Sequence, residues 1–287
     1  MLADPSRGVD PGQPITEQEA LARLRQQEDP GQRYYAAWWL GRMRSRHPHA
    51  VPLLIDALAV RGTAVDSAAG VNEPNAIARN AARALGKLAD AAAVPALLTA
   101  LEDPDDGLRE AAARSLGELG AIEARRPISR RLATGPEWAG SVQPGSSRLQ
   151  EPCEALLEAL GMIGLAGEDD PDTLLALVRP YVDHGRPLIR AAACRCLFQL
   201  SGETHWVEQL RALLLHEQLQ VRRAALMDLA ATGWRPAGPA IAGTLAENSL
   251  KLIALRGLVE QSPEHDPQAT WPSAAEIDLL NAMDALL

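Results

Sequence analysis

The pair Leu-Gly, or a close equivalent, recurs near the end of one Ala-rich amphipathic segment after another. The Gly-equivalent positions are Gly41, Gly86, Gly117, Gly161, Phe198, Ala230 and Val259. Their spacings are 45, 31, 44, 37, 32 and 29 residues. Such a period marks a chain built by repeating one supersecondary unit, each copy burying its apolar face only against its neighbours. The unit is clearest in the third copy. AAAVPALLTALEDP reads as a first helix, A, and DDGLREAAARSLGELG as a second, B. Pro95 falls in the first turn of helix A, where its missing N–H costs little. Pro104 marks the turn between the two.

Composition supports helices. Hydrophobic residues make up 47%, yet there are only 6 Trp, 3 Tyr and 1 Phe. The apolar mass is therefore Ala, Leu, Val and Ile, poor in the aromatics that strands favour. The expected class is all-α: a HEAT-like α/α solenoid of about seven helix pairs over residues 16–262, with the B helices lining a concave face. Residues 1–15 hold Pro5, Pro11, Pro14, Gly8 and Gly12 and read as a disordered lead-in. Thr16 opens the first helix, with Thr16 and Glu19 spaced as a capping box. Residues 263–287 read as a linker and a closing helix, SAAEIDLLNAMDALL. Two insertions, Arg61–Pro74 and Gly135–Gln150, are rich in Gly, Ser and Pro and read as loops. Insertions of this kind either project from one face to bind something or drift neutrally.

The formal net charge is −9. Nucleic-acid proteins usually carry a net basic domain, so no nucleic-acid partner is expected. The first residues lack an apolar h-region, and no apolar run is long enough to span a membrane. A soluble cytoplasmic protein, at most peripheral to a membrane, is expected. Cys153, Cys194 and Cys196 are too few for a disulfide framework. Cys194 and Cys196 sit two apart on a helix and read as core thiols rather than metal ligands. His47 and His49 flank Pro48 with no third ligand evident. No P-loop, GxSxG, HExxH or dinucleotide fingerprint occurs, so neither metal nor cofactor is expected.

The repeats align internally. Eight residues before each Gly-equivalent lie Arg33, Ala78, Arg109, Cys153, Arg190, Arg222 and Lys251. Acids often precede these bases in the turn, which predicts a ladder pairing each helix B with its own turn. One column on come Tyr34, Arg79, Glu110, Glu154, Ala191, Arg223 and Leu252. Four further residues give Trp38, Arg83, Arg114, Glu158, Arg195, Met227 and Arg256. Four more give Arg42, Lys87, Glu118, Met162, Gln199, Ala231 and Glu260. At about 100° per residue these three columns form one exposed, mostly polar stripe of helix B.

The first copy breaks the pattern. Its segment is RYYAAWWLGR, with Tyr34, Tyr35, Trp38 and Trp39 close together. Tyr34, Trp38 and Arg42 occupy the exposed stripe. Tyr35 and Trp39 replace residues that are small elsewhere, while Ala36, Leu40 and Met43 supply a core stripe. Either the rings pack under a neighbouring element or they form a flat apolar platform with polar edges. The second reading suits a large planar conjugated ligand or a partner protein. Arg42, Arg79, Arg83, Lys87 and Arg114 form a basic track on the same stripe, and guanidinium forks grip carboxylates.

RYYAAWWLGR, RNAARALGKLAD, REAAARSLGELG and AENSLKLIALRGLVE together resemble the E-type (alpha) subunits of the E/F heterodimeric phycocyanobilin lyases, which are built of PBS-lyase HEAT-like repeats. The resemblance runs from about Thr16 to Gln261, and YYAAWWL is its specific part. It implies an enzyme that pairs with an F-type subunit. The heterodimer takes phycocyanobilin as substrate and attaches it to a cysteine of the phycocyanin α subunit, by a thioether to the ring A ethylidene. The implied setting is the cytoplasm of a cyanobacterium, in phycobilisome assembly. Tyr34, Tyr35, Trp38 and Trp39 would hold the pigment face, and Arg42, Arg79, Arg83 or Arg114 its propionates. A carboxylate could keep the bilin protonated, with Glu110, Glu118 and Asp228 as open candidates. Two other readings stay open: a subunit of an isomerising lyase that yields phycoviolobilin on phycoerythrocyanin, and a HEAT adaptor without chemistry.

Overall fold

The computed structural model describes residues 15–61, 75–165, 170–260 and 272–287. The lead-in apart from Ile15, nearly all of the Arg61–Pro74 insertion and the 261–271 linker lie outside them. The chain divides into two units, residues 1–96 and 97–287. The first holds α1 (Glu17–Arg25), α2 (Pro30–Arg42), α3 (Ala50–Leu58) and α4 (Ala76–Leu88). The division falls within α5 (Val94–Leu101). The second holds α6 (Asp106–Glu118), α7 (Arg125–Leu132), α8 (Pro136–Ala139), α9 (Cys153–Ile163), α10 (Pro171–Val178), α11 (Pro187–Ser201), α12 (Thr204–Ala212), α13 (Leu219–Thr232), α14 (Gly238–Gly243), α15 (Asn248–Glu260) and α16 (Ala274–Asp284).

Among the described residues the fold is a helical-repeat solenoid of seven helix pairs. The Gly-equivalents fall on α2, α4, α6, α9, α11, α13 and α15, which are the B helices. In the first unit α2 packs on α4. In the second α6, α9, α11, α13 and α15 pack in series, each on the next. The Leu-Gly signature has a steric cause here. A Cβ built on Gly41 would lie 2.7 Å from the Ala84 Cα, and one on Gly117 would lie 2.8 Å from the Ala159 Cα. One on Gly161 would reach the Cys196 Cα at 3.1 Å. The Gly position of one B helix thus meets the position two before the Gly-equivalent in the next. Gly257, built against Ala230 at 2.8 Å, repeats the register with the partners exchanged. Small residues bring the helix backbones close, and the buried Ala and Leu rows fill what remains.

Helix starts follow the chain's short polar residues. Asp29 accepts from the Gln32 N–H at 3.0 Å and Asp105 from the Leu108 N–H at 2.7 Å. Thr16 accepts from the Glu19 N–H at 3.2 Å, but the Glu19 carboxylate turns to Arg23 at 2.8 Å, so the expected box is half formed. A complete box stands at α16, between Ser273 and Glu276. Ile15, just before the α1 N-cap, is buried. Three residues of the basic column clamp the turn before their helix through its carbonyls. Arg109 donates to the Asp103 and Pro104 carbonyls, Arg190 to that of His184, and Arg222 to those of His216 and Glu217. These bonds satisfy carbonyls in the turn that follows helix A.

The Gly135–Gln150 insertion is structured. It contains α8 and a bridge pairing Val142 with Leu149, and it folds back on its own unit. Arg148 pairs with Asp106 at 2.8 Å, and Arg109 donates to the Gln150 carbonyl at 2.7 Å. Glu151 is buried between Arg109 and Arg131, at 3.2 and 2.8 Å. Polar loop composition is thus reconciled with order by ion pairs at its base.

Tyr181 is fully buried and donates its hydroxyl to the Leu132 carbonyl at 2.6 Å. Burial raises its phenol above the ordinary value. Tyr181→Phe removes this donor and leaves the carbonyl with the Gly135 N–H alone, at 3.0 Å. A loss of about 1 kcal/mol is expected, read as a lower midpoint in denaturant at unchanged slope.

Candidate functional site

The expected aromatic platform lies on α2, in the first unit. Position two before the Gly-equivalent receives the preceding B helix, as Ala84 receives Gly41. Within the first unit no described B helix precedes α2, so its equivalent flank carries Tyr35 and Trp39 instead of small residues. Tyr34, Tyr35 and Trp38 are 40%, 41% and 43% exposed, and Trp39 is half-buried. The Tyr35 and Trp38 rings stack with centroids 5.4 Å apart. The core of α2 is formed by Ala36, Ala37, Leu40 and Gly41. Met43 was expected there, but it stands just past the helix and is 60% exposed.

Packing of α2 on α4 aligns their stripes. Asn80 donates to the Tyr34 carbonyl at 3.1 Å, which explains a polar residue in an otherwise small column. Trp38 and Arg83 occupy the same repeat position on these neighbouring helices. Arg42, Arg83 and Lys87 are exposed and Arg79 is half-exposed. The first unit therefore offers an apolar, partly stacked ring surface with cationic side chains on the same stripe. That pairing suits a flat conjugated body bearing anionic groups.

Arg114 belongs to the second unit and is engaged there. It bonds Glu110 at 3.2 Å and also pairs with Glu158. The same column continues through Arg195, which pairs with Asp228 at 3.2 Å and lies 3.9 Å from Glu158. In this stretch the stripe is an alternating ladder of charge across α6, α9, α11 and α13. Arg195 and Ala191 are buried, whereas Met162 and Met227 are exposed. The pattern of the columns alone did not separate these cases.

The three cysteines are buried. Burial, with Glu154 and Glu151 adding, pushes the Cys153 thiol up to about 12; burial pushes Cys196 to about 12 and Cys194 to about 11. None offers the thiolate that a covalent carrier of an electrophilic ligand needs. His47 and His49 face each other with ring centroids 5.3 Å apart. Among the described residues no three His, Cys, Asp or Glu side chains converge as metal ligands, and no helix is long and apolar enough to cross a membrane.

Comparison with known proteins joins this geometry to a family. Residues 32–59, which contain the aromatic segment, match the PBS lyase HEAT-like repeat, and residues 71–139 match HEAT repeats. A bilin biosynthesis protein, RpcE, of Synechococcus sp. is 45% identical over 96% of each chain. A phycocyanobilin lyase subunit alpha of Picosynechococcus sp. is 43% identical over 95% of this chain and 96% of its own. Among solved structures, the complex of CpcE and CpcF of phycocyanin lyase from Nostoc sp. matches with a TM-score of 0.81 and 39% identity, covering 100% of both chains.

Proposed function

This chain belongs to the phycocyanobilin lyase alpha-subunit family, and from that premise we propose how its surface performs the reaction. It is the E-type subunit of a bilin lyase and works with an F-type partner. The pigment we assign is phycocyanobilin, and the acceptor is a cysteine of the phycocyanin α subunit, in cyanobacterial phycobilisome assembly. The bond formed is a thioether to the ethylidene carbon of ring A.

One observation carries this reading: the exposed rings of Tyr34, Tyr35 and Trp38 beside the exposed guanidiniums of Arg42 and Arg83. A bilin is a conjugated body with two propionates, so it presents one face to rings and its anionic arms to cations. Tyr34, Tyr35, Trp38 and Trp39 hold the face, and Arg42, Arg79 and Arg83 hold the propionates. Arg114, ion-paired to two glutamates, can take a propionate only by exchanging partners. Thiol addition to an activated ethylidene needs little dedicated machinery. The enzyme's contribution is to choose one acceptor sulfur and one face of the double bond, which is work for proximity and orientation.

The test is reconstitution of this chain with an F-type subunit, free phycocyanobilin and the phycocyanin α subunit. The expected result is an acceptor that stays coloured in denaturant and absorbs as an unisomerised phycocyanobilin adduct. A phycoviolobilin-type spectrum would reassign the product to an isomerising lyase. An uncoloured acceptor would reduce the chain to an adaptor.

A further inference from the structure

The position six before the Gly-equivalent holds Ala111, Ala155, Ala192 and Ala224 in the middle copies, with Tyr35 and Ile253 at the two ends. In α4 it holds an amide, Asn80. Asn80 is 5% exposed, and its side-chain nitrogen donates to the Tyr34 carbonyl of α2 at 3.1 Å. Burying an amide costs free energy that one hydrogen bond largely offsets, so the pair adds little stability over the alanine of the other copies. What a directed bond adds, and an alanine cannot, is a fixed position. The bonded carbonyl lies inside α2, where it also takes the N–H of Trp38 four residues on. Asn80 is thereby tied to the turn of α2 that carries Tyr34, Tyr35 and Trp38. On its own helix it sits one residue after Arg79 and three before Arg83.

We propose that Asn80 is a positioning residue of this lyase: it fixes the offset between the ring surface on α2 and the guanidiniums on α4, so that the pigment is held in one conformation. The proposal rests on the lyase reading and on the pose given with it, and it lies wholly within the first unit. Two contacts are needed to stop one helix from both sliding and turning on another. The first is the close approach of Gly41 to Ala84, where a built Cβ would lie 2.7 Å from the Ala84 Cα. The second is the bond from Asn80 to Tyr34, seven residues before Gly41 and so about 10 Å away along α2. Small residues at a seam permit a range of offsets; a hydrogen bond across it narrows that range.

The offset matters because the ligand is flexible. An open-chain tetrapyrrole twists about the bonds that join its rings. The rings on α2 hold its face at many twists, but the cations on α4 meet its propionates only where the reach matches. A fixed offset therefore selects one twist, and with it one face of the ring A ethylidene for the acceptor sulfur. Loosening the offset leaves every binding group in place, so affinity changes little. The reacting carbon is then presented correctly less often, so transfer slows.

The experiment uses the full heterodimer with phycocyanobilin as the probe, each variant first isolated as the folded heterodimer by gel filtration. Asn80→Ala gives α4 the residue of the middle copies. It should bind pigment within about 3-fold of the unmodified protein, transfer it about 10-fold more slowly at saturation, and weaken the circular dichroism of the bound pigment by about half. Asn80→Ser, whose hydroxyl ends one bond short of the carbonyl and turns to its own helix, should behave likewise. A lower melting point with transfer and dichroism unchanged would make Asn80 a packing bond only and overturn the proposal. A loss of affinity that accounts for the whole loss of rate would make it a direct pigment contact and overturn it too. An unmodified heterodimer that binds no pigment sinks the lyase reading beneath it.

Discussion

Trp38→Ala weakens pigment binding by about 30-fold, lowers transfer to match, and leaves helix content and F-subunit assembly as they were. The figure follows from area. Trp38 is 43% exposed, so roughly 80 Å² of its ring is free to be covered by a ligand, worth about 2 kcal/mol at ~25 cal/mol per Å². Its folded-state role is small, since it contributes mainly the stacking contact with Tyr35 at 5.4 Å. Loss of that contact costs about 1 kcal/mol of stability. Combining it with Trp39→Ala, which removes the half-buried ring of the same surface, should bring transfer to background. Equilibrium titration of the variant heterodimers with phycocyanobilin, beside gel filtration with the F-type subunit, reads both effects. Should both variants lose the partner yet keep pigment affinity, the rings are a subunit contact and not a pigment shelf.

How far the chain itself announces this arrangement varies with distance along it. The register of the repeats was legible because a helix that must pack closely leaves a gap in side-chain size at a fixed place. The same alignment placed Phe198, Ala230 and Val259 without any glycine, and Gly257 against Ala230 agrees with it. Tyr35 and Trp39 were legible as exceptions for the same reason: large rings stood where the register wanted small ones. Asp228 broke the same column and was named only as one carboxylate among three, because its polar-side position drew attention away from its packing position. Long-range pairing was not legible. Glu158 is close to both Arg114 and Arg195 only because α9 lies between α6 and α11. The Gly135–Gln150 insertion read as a loop from composition, but its order comes from Arg109, Arg131 and Arg148, which belong to no local motif. Met43 misled because helical periodicity was extended past the last turn of α2.

Gly117→Ala should destabilise the second unit by about 2 kcal/mol, the opposite of what the same exchange does on an open helix. Alanine loses less conformational entropy on folding than glycine, which alone would add about 0.5–1 kcal/mol of stability. At Gly117 the new methyl would lie 2.8 Å from the Ala159 Cα and 3.1 Å from its Cβ. Both belong to a packed helix and cannot swing aside, so α6 and α9 must part, and the contacts beside them loosen. Gly243 gives the control: nothing lies within 4 Å of its built Cβ, so Gly243→Ala should be neutral or slightly stabilising. In a chain of repeats the damage stays near its source, because each pair is held by its neighbours alone. Amide exchange should therefore rise most in α6 and α9 and least in α13 and α15. Equal loss of protection along the whole second unit would show that it melts as one block. Unchanged protection in α6 and α9 would show that the glycines do not set the spacing of the B helices.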